Sequence, residues 1–207
     1  MKDTTRAVAV VGLAYLAGAI PFSNLMAHAR ARVDLRTVGS GTVSGSGLYE
    51  VAGVVPLALA GSAELAAGAI GPLLAGPDRP VLSAVAAAAA VSGHNWSVFL
   101  RGAGGRGIAP ALGAMAVRDW PGMVPLLAGI TVGRLTANTG LGGFVGALAV
   151  PPTLAETRGR NGAAMGVAVI APMLIKRVLG NRRLDRPNRK QYLTRLVFDR
   201  DEMGPPR

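Results

Sequence analysis

Long apolar runs bounded by short polar turns recur along this 207-residue chain, and they restrict its fold more than any other feature. A membrane helix needs about 20 consecutive, mostly apolar residues. Hydrophobic residues make up 50% of the chain and the mean hydropathy is +0.39, which is too apolar for an ordinary soluble domain. We therefore expect an all-α integral membrane protein with about seven transmembrane helices. The predicted spans are 7–27, 48–75, 81–100, a short fourth run at 108–117, 122–132, 140–154 and 163–179.

The composition excludes several kinds of site. Cysteine is absent, so the chain holds no disulfide and no thiolate metal site. Its two histidines, His28 and His94, are too few for an ordinary zinc cluster, and we predict neither a metal nor a cofactor. The net charge of +11 comes mostly from arginines between and after the apolar runs, where they suit anionic lipid headgroups. Because no basic face lies on a soluble module, nucleic acid is not a predicted partner.

The distribution of lysine and arginine predicts an orientation. When the loops are assigned alternately to two faces, the face that follows the first and third spans receives more basic residues, including those of residues 176–190. Since basic loops face the cytoplasm, we expect the N-terminus outside and the C-terminus inside. This assignment requires the short fourth run to cross fully. We divide the chain into a membrane domain, residues 1–180, and a basic cytoplasmic tail, residues 181–207.

Two loops on the predicted cytoplasmic face have the composition of anion-binding segments. The first, residues 33–47, alternates glycine with serine and threonine and carries Arg36, while the second carries Arg101 and the cluster at residues 104–107. Glycine lets backbone N–H groups approach a phosphate without a Cβ in the way, and arginine supplies the countercharge. A flexible linker explains the first loop equally well. An exposed ion pair between Asp34 and Arg36 is a further alternative.

Two polar residues lie near or within apolar runs, where ionisable groups are costly and are therefore candidates for function. His94 comes towards the end of the third run, where an imidazole can exchange a proton with a substrate hydroxyl or simply satisfy a packing position. Glu64 lies deeper in the second run, so we expect its carboxyl to pair with another helix or to stay protonated.

Two ordered motifs give the chain a resemblance to the bacterial acyl-phosphate:glycerol-3-phosphate acyltransferase family of the PlsY type, over nearly its whole length. The first loop resembles the family pattern D-x-R-x-x-GSGN-x-GATN at Asp34, Arg36 and residues 39–41. The second resembles GHxxPVFxxFKGGKGVAT at residues 93–94, 98–99 and 104–109. A third pattern, R-H-x-x-N-I, is similar to residues 177–182, with Asn181 at the asparagine.

The resemblance implies a seven-span protein of the bacterial cell membrane with its active site on the cytoplasmic face. It implies transfer of a fatty acyl group from acyl phosphate to the sn-1 hydroxyl of glycerol 3-phosphate, giving lysophosphatidic acid for phospholipid biosynthesis. Acyl phosphate is already activated, so positioning and charge neutralisation suffice for the reaction. By the family pattern the catalytic residues are His94, Ser40 and Arg36, and the substrate-binding residues are Gly39, Gly41, Thr42, Arg101, Gly104, Gly105, Arg106, Gly107 and Asn181.

Several positions depart from these patterns. Ala103 and Arg106 stand where the second motif has lysines, and Val178 replaces the histidine of the third. A D-x-x-K-G pattern of the second span becomes Glu64 followed by Ala67 and Gly68. The loss of hydrogen-bond donors leaves two alternatives to an active enzyme. One is a non-catalytic family member that binds lipid precursors or assists a partner enzyme; the other is a small transporter, although the sequence shows no evident internal repeat.

Overall fold

The structure, a computed structural model, describes residues 2–182 and 188–200, and the regular structure in these ranges is helical throughout. The all-α prediction is therefore confirmed. Short 3₁₀ turns occur at Leu35–Thr37, Val98–Leu100 and Trp120–Gly122. The helices are α1 (Lys2–Ala19), α2 (Phe22–Ala31), α3 (Gly45–Ala52), α4 (Val54–Ala75), α5 (Pro80–Asn95), α6 (Ile108–Ala116), α7 (Met123–Leu135), α8 (Thr139–Leu179) and α9 (Arg189–Phe198).

Two of the predicted spans are each divided into two α-helices, and in a third, 81–100, the α-helix already ends at Asn95. The first breaks between α1 and α2, where Pro21 has no N–H to continue the hydrogen bonds of the preceding turn. The second begins as α3 and breaks at Gly53, whose φ of 83° lies in the left-handed region that glycine adopts at little cost. Beyond this break α4 runs without interruption and carries Glu64 near its middle.

The long helix α8 is a helical hairpin that bends at Gly159. This residue has φ 66° and ψ −154°, which are not helical values. A Cβ added to Gly166 would lie 2.8 Å from the Cα of Pro151, whereas one straight helix would separate these two residues by about 22 Å. Two arms, residues 139–158 and 160–179, therefore run side by side in opposite directions. They contain the sixth and seventh predicted spans.

By length and composition, three helical segments of the described chain can cross a membrane: Asp3–Ala31, Val54–Ala75 and Thr139–Leu179. The short α6 begins beside the glycine loop, with Gly107 as its N-cap, and Arg118, just beyond its end, donates to the Pro77 carbonyl between α4 and α5 (2.7 Å). The number of membrane crossings and the orientation remain predictions.

Small residues bring the helices into backbone contact. A Cβ on Gly18 of α1 would overlap the carbonyl oxygen of Ala90 in α5, and one on Gly68 of α4 would overlap that of Pro110 in α6. Such close packing of small residues drives the association of membrane helices. Glycines at these positions therefore serve helix packing. Fully buried Met115, Leu126 and Leu154 belong to the larger core between α6, α7 and α8.

Polar residues gather at two ends of this bundle. At one end Arg79 forms an ion pair with Asp3 (2.8 Å), close to the contact between Arg118 and Pro77. At the other end the two glycine loops, the turn between α7 and α8, and α9 come together. The C-terminal helix α9 packs against α8, where buried Arg195 donates to the Leu179 carbonyl (2.8 Å). Residues 183–187 and 201–207 of the predicted tail lie outside the described residues.

Candidate functional site

The two glycine loops, predicted to share one face, are hydrogen-bonded to each other. The N–H of Val43 in the first loop donates to the carbonyl of Gly104 in the second (3.1 Å). The Asn181 side chain, which follows α8, joins them further by donating from Nδ2 to the carbonyls of Gly41 (3.0 Å) and Gly104 (2.8 Å). Three segments distant in sequence therefore form one surface.

The first loop contains two residues in the left-handed region, Gly39 (φ 52°) and Gly41 (φ 71°). Between them Ser40 is exposed, and its hydroxyl donates to that of Thr42 (3.0 Å). Arg36 pairs with Asp34 through contacts as short as 2.6 Å, with 38% of the arginine side chain exposed. The alternative of an exposed ion pair is thus confirmed. The hydrogen bond from Arg36 holds the pKa of the Asp34 carboxyl below its ordinary value.

The second loop wraps around the end of α5, which carries His94. The N–H of Gly105 donates to the His94 carbonyl (3.0 Å), and a Cβ on Gly105 would overlap His94 Nε2. The loop therefore contacts both the backbone and the ring of this histidine. From the other side, buried Lys176 donates to the Gly102 carbonyl (3.4 Å), with its Nζ 5.4 Å from the centre of the Trp96 ring. Arg101 is exposed, and its backbone is left-handed with a φ of 56°.

Arg106 is the cation that the second loop directs inward. Its side chain is only 13% exposed, Nη1 donates to the Lys176 carbonyl (3.1 Å), and Nε lies 2.8 Å from Oδ1 of Asp199. The approach of Asp199 is not aligned with the N–H bond, so the two atoms form an ion pair without a regular hydrogen bond. The side chain of Arg106 is thus held between α8 and the segment that follows α9.

A cavity of about 1370 Å³ opens between these segments. Its polar wall contains Gly39, Ser40, His94 and Arg106, and five arginines line it in total. Its other walls are apolar, with side chains from α4, α6 and α7. One cavity therefore combines cations with an apolar surface, as binding of a phosphorylated molecule with an acyl chain requires. The other four lining arginines are Arg134, Arg177, Arg182 and Arg200, and the apolar residues include Leu57, Ile108, Leu112 and Ile130.

Glu64 reaches the same region from the middle of α4. Its Oε1 accepts hydrogen bonds from the N–H (3.1 Å) and the hydroxyl (2.6 Å) of Ser23 in α2. The prediction that this carboxyl pairs with another helix is confirmed. Glu64 and His94 line the main cavity, and together with Gly105 they also line a water-sized cavity of about 10 Å³ beside it.

The predicted site residues divide into three groups. Gly39, Ser40, His94 and Arg106 line the main cavity, whereas Arg36 and Arg101 line neither cavity. The others form or join the loops behind the cavity wall: Gly41, Thr42, Gly104, Gly105, Gly107 and Asn181. Within residues 2–182 and 188–200, no group of three or more histidine, aspartate and glutamate residues is arranged to hold a metal ion.

Sequence reasoning missed several residues that line the cavity. Arg182 lies against the first loop, with its Nε 3.3 Å from the position of a Cβ on Gly41. Buried Arg177 donates to the carbonyls of Gly140 (2.8 Å) and Leu196 (3.2 Å), and so ties α8 to α9. Asp199 comes from the segment interpreted as a tail. The density of arginines after α8 was the available signal, but nothing in it indicated that α9 folds back.

The fold and the site together define a class: a helical membrane protein whose loops form a cationic, glycine-walled cavity at one polar end of the bundle. The chain belongs to the glycerol-3-phosphate acyltransferase family, whose model matches residues 8–184.

Relatives agree with this assignment. The glycerol-3-phosphate acyltransferase of Myxococcus xanthus (strain DK1622) is 33% identical over 171 residues, which cover 80% of this chain and 89% of the relative. Glycerol-3-phosphate acyltransferase 5 of Dehalococcoides mccartyi (strain ATCC BAA-2266 / KCTC 15142 / 195) is 36% identical over 140 residues, or 66% of this chain. That match spans 60% of the Dehalococcoides protein. The glycerol-3-phosphate acyltransferase of Shouchella clausii (strain KSM-K16) is 33% identical, and its match spans 55% of that protein.

A solved structure shares the fold. The crystal structure of PlsY (YgiH), an integral membrane glycerol 3-phosphate acyltransferase, in its glycerol 3-phosphate form superposes with a TM-score of 0.73 at 28% identity. The match covers 82% of this chain and 87% of that one. The resemblance to the PlsY type and the all-α membrane fold are therefore confirmed.

Proposed function

We propose that this protein is a membrane acyltransferase that transfers a fatty acyl group from acyl phosphate to the sn-1 hydroxyl of glycerol 3-phosphate. The hydroxyl oxygen attacks the acyl carbonyl carbon, and the bond from that carbon to the phosphate oxygen breaks. The electron pair and the hydroxyl proton leave with the phosphate, so lysophosphatidic acid and phosphate are the products. No cofactor or metal enters this scheme.

The observation that carries the proposal is the mixed wall of the main cavity. Both substrates bear phosphate, which requires cations and N–H donors, and one bears an acyl chain, which requires an apolar surface. Five arginines and two glycine loops supply the first, and the side chains of Leu57, Leu112 and Ile130 contribute to the second. Family membership supports the same substrates.

The geometry suggests a role for each part of the wall. In our proposal Arg106 and the loop at residues 104–107 hold the phosphate of glycerol 3-phosphate, and His94 orients the attacking hydroxyl. Gly39 and Ser40 face the phosphate end of the acyl donor. Arg36 forms an ion pair with Asp34 and does not line the cavity. We therefore assign the cation that binds the donor phosphate to Arg182, which lies against Gly41.

We further propose that this polar end faces the cytoplasm of a bacterial cell, with seven crossings and the N-terminus outside. Loops that alternate counting assigns to opposite faces lie at opposite ends of the bundle. The end with the cavity carries most of the arginines. Because the chain has no cysteine, single cysteines at Ser40 and at Asp78 test the orientation directly. In intact cells an impermeant thiol reagent should label position 78 and leave position 40 unlabelled; the opposite pattern would reverse the orientation.

A second candidate function is binding of lipid precursors without turnover. The specific observation in its favour is that Val178 occupies the histidine position of the third motif, close to the Asn181 bridge. This candidate predicts stabilisation by glycerol 3-phosphate without product.

The test is an assay with purified protein in lipid vesicles, a long-chain acyl phosphate and labelled glycerol 3-phosphate, followed by extraction of labelled lysophosphatidic acid. We expect product that depends on acyl phosphate. Thermal unfolding with and without glycerol 3-phosphate is measured on the same sample. Stabilisation without product, alongside an active PlsY-type control, would favour the binding function. The absence of both stabilisation and product would contradict both candidate functions.

A further inference from the structure

Asp199 approaches the cation that the proposed function assigns to substrate phosphate. Its Oδ1 lies 2.8 Å from Nε of Arg106, and both side chains are mostly buried, at 25% and 13% exposed. Both residues line the main cavity. A carboxylate is therefore bound to Arg106 inside the cavity, where a substrate phosphate would need the same cation.

The backbone N–H of Asp199 caps α9 by donating to the Arg195 carbonyl (3.0 Å), but the stability of α9 does not explain the negative charge of its side chain. The residue caps the C-terminal end of α9, and a negative charge there opposes the helix dipole. Its backbone is left-handed at φ 54°, which costs free energy for a residue with a Cβ. The ion pair does not offset these costs through a well-aligned hydrogen bond, because neither Oδ1 of Asp199 nor Nε of Arg106 makes a hydrogen bond of regular geometry.

The surroundings of Asp199 suit a more highly charged anion. Among the described residues that line the cavity, Asp199 and Glu64 are the acidic ones, against five arginines. Glu64 already accepts two hydrogen bonds from Ser23. A phosphate carries more charge than a carboxylate and three acceptor oxygens, so it can bind Arg106 and the neighbouring N–H groups at once.

We infer that Asp199 is an internal competitor for phosphate at Arg106, and so lowers the affinity of the site for phosphorylated substrates and products. Nε of Arg106 cannot be in contact with the carboxylate and a phosphate oxygen in the same place at the same time. A phosphate that binds at Nε therefore displaces Asp199, and the end of α9 shifts with it because Asp199 follows α9 directly. When phosphate leaves, the carboxylate returns and neutralises the cation.

The inference rests on the part of the proposed function that assigns phosphate to Arg106, but it does not require turnover. The first test is the affinity of Asp199→Asn for glycerol 3-phosphate and for inorganic phosphate, measured by ligand-dependent thermal stabilisation. The asparagine keeps the shape and removes the charge. We expect binding of both ligands to tighten by about five-fold, the scale of one partly exposed ion pair.

Asp3→Asn is the matched control, since it also removes an aspartate–arginine contact of 2.8 Å but at the opposite end of the bundle. Its affinities should equal those of the unmodified protein. Unchanged or weaker binding in Asp199→Asn would overturn the inference and leave the ion pair as a contact that only holds α9. Tighter binding in a preparation that makes no product would uphold the inference while the proposed reaction fails.

A second measurement does not depend on the stability of Asp199→Asn. Leu193 of α9 and Val81 of α5 are both exposed, at 60% and 70%, and single cysteines there can each carry a spin label in this cysteine-free chain. Addition of inorganic phosphate or glycerol 3-phosphate should change the spectrum of the label at position 193 and leave that at position 81 unchanged. No change at position 193 under saturating ligand would contradict the displacement of Asp199.

Discussion

Asn181 and Gly104 exchange two hydrogen bonds: the asparagine Nδ2 donates to the glycine carbonyl (2.8 Å), and its Oδ1 accepts from the glycine N–H (3.2 Å). Both backbone groups of Gly104 are thus satisfied by one side chain, which also binds Gly41. The Asn181 side chain, two residues beyond the end of α8, therefore helps to hold the two glycine loops together, beside the direct hydrogen bond from Val43 to Gly104.

Asn181→Asp should separate the loops. The substitution keeps the acceptor for the Gly104 N–H but replaces both donated hydrogen bonds with contacts between a carboxylate and carbonyl oxygens. We expect a loss of at least ten-fold in acyl transfer and about 1–3 kcal/mol in the free energy of unfolding. Asn138→Asp is the control, because Asn138 donates one exposed bond to Thr136 at the same end of the bundle. Equal activities of the two variants would contradict the bridging role.

Gly105→Ala should damage the site through His94. A Cβ at this position overlaps His94 Nε2 and lies 2.7 Å from the Val43 carbonyl, so the ring or the loop has to move. Because a small misplacement of a catalytic group is costly, we expect about a hundred-fold loss of activity. Gly12→Ala in α1, where nothing lies within 4 Å of the added Cβ, should leave the rate unchanged. A fully active Gly105→Ala variant would show that His94 is not required in its observed position.

His94→Ala tests the histidine itself. The chain has two histidines, and only His94 lines the cavity among the described residues, whereas His28 is exposed on α2. We expect a loss of at least a hundred-fold in rate for His94→Ala, on the scale of a positioned catalytic group, and an unchanged rate for His28→Ala. Similar rates in both variants, measured at saturating substrate, would show that His94 has no catalytic role.

Asp119 should make stability depend on pH at the end opposite the cavity. Burial raises the pKa of this carboxyl above its ordinary value of 3.8, against the opposing effects of Arg158 and Arg118. The folded protein then binds the proton more tightly than the unfolded chain does. The free energy of unfolding therefore falls as pH rises from 3.8 through the folded-state pKa, and the loss persists at neutral pH.

Asp119→Asn removes this titration, so it should raise the temperature of unfolding at pH 7 and flatten its dependence on pH. Thermal unfolding in detergent between pH 4 and pH 7 measures both effects. Asp78→Asn, at an exposed aspartate at the same end, controls for the change in net charge. An Asp119→Asn protein that is less stable than the parent at pH 7 would contradict the burial argument.

The convergence of the two glycine loops could be predicted from the sequence because it depends only on the parity of the membrane crossings. The hairpin around Gly159 could also be predicted, since residues 140–154 and 163–179 form two apolar runs with arginines between them. Periodicity and charge carry this information without any knowledge of side-chain contacts.

The long-range electrostatic partners in the site could not be predicted in the same way. The ion pair of Arg36 with Asp34 was open to prediction as one alternative, because the two residues are only two positions apart. Arg106 contacts Asp199, which lies 93 positions later in the chain. No local pattern encodes that contact, because it depends on how α9 folds back onto α8.

The docking of α9 also has a consequence for biosynthesis. Translation proceeds from the N-terminus, so Arg189–Phe198 leaves the ribosome after every helix on which it packs. Bundle helices such as α4 and α8 are therefore made while Arg106 still lacks its carboxylate neighbour. The cavity therefore acquires its full set of charges only after α9 has been made, later than the helices on which α9 packs.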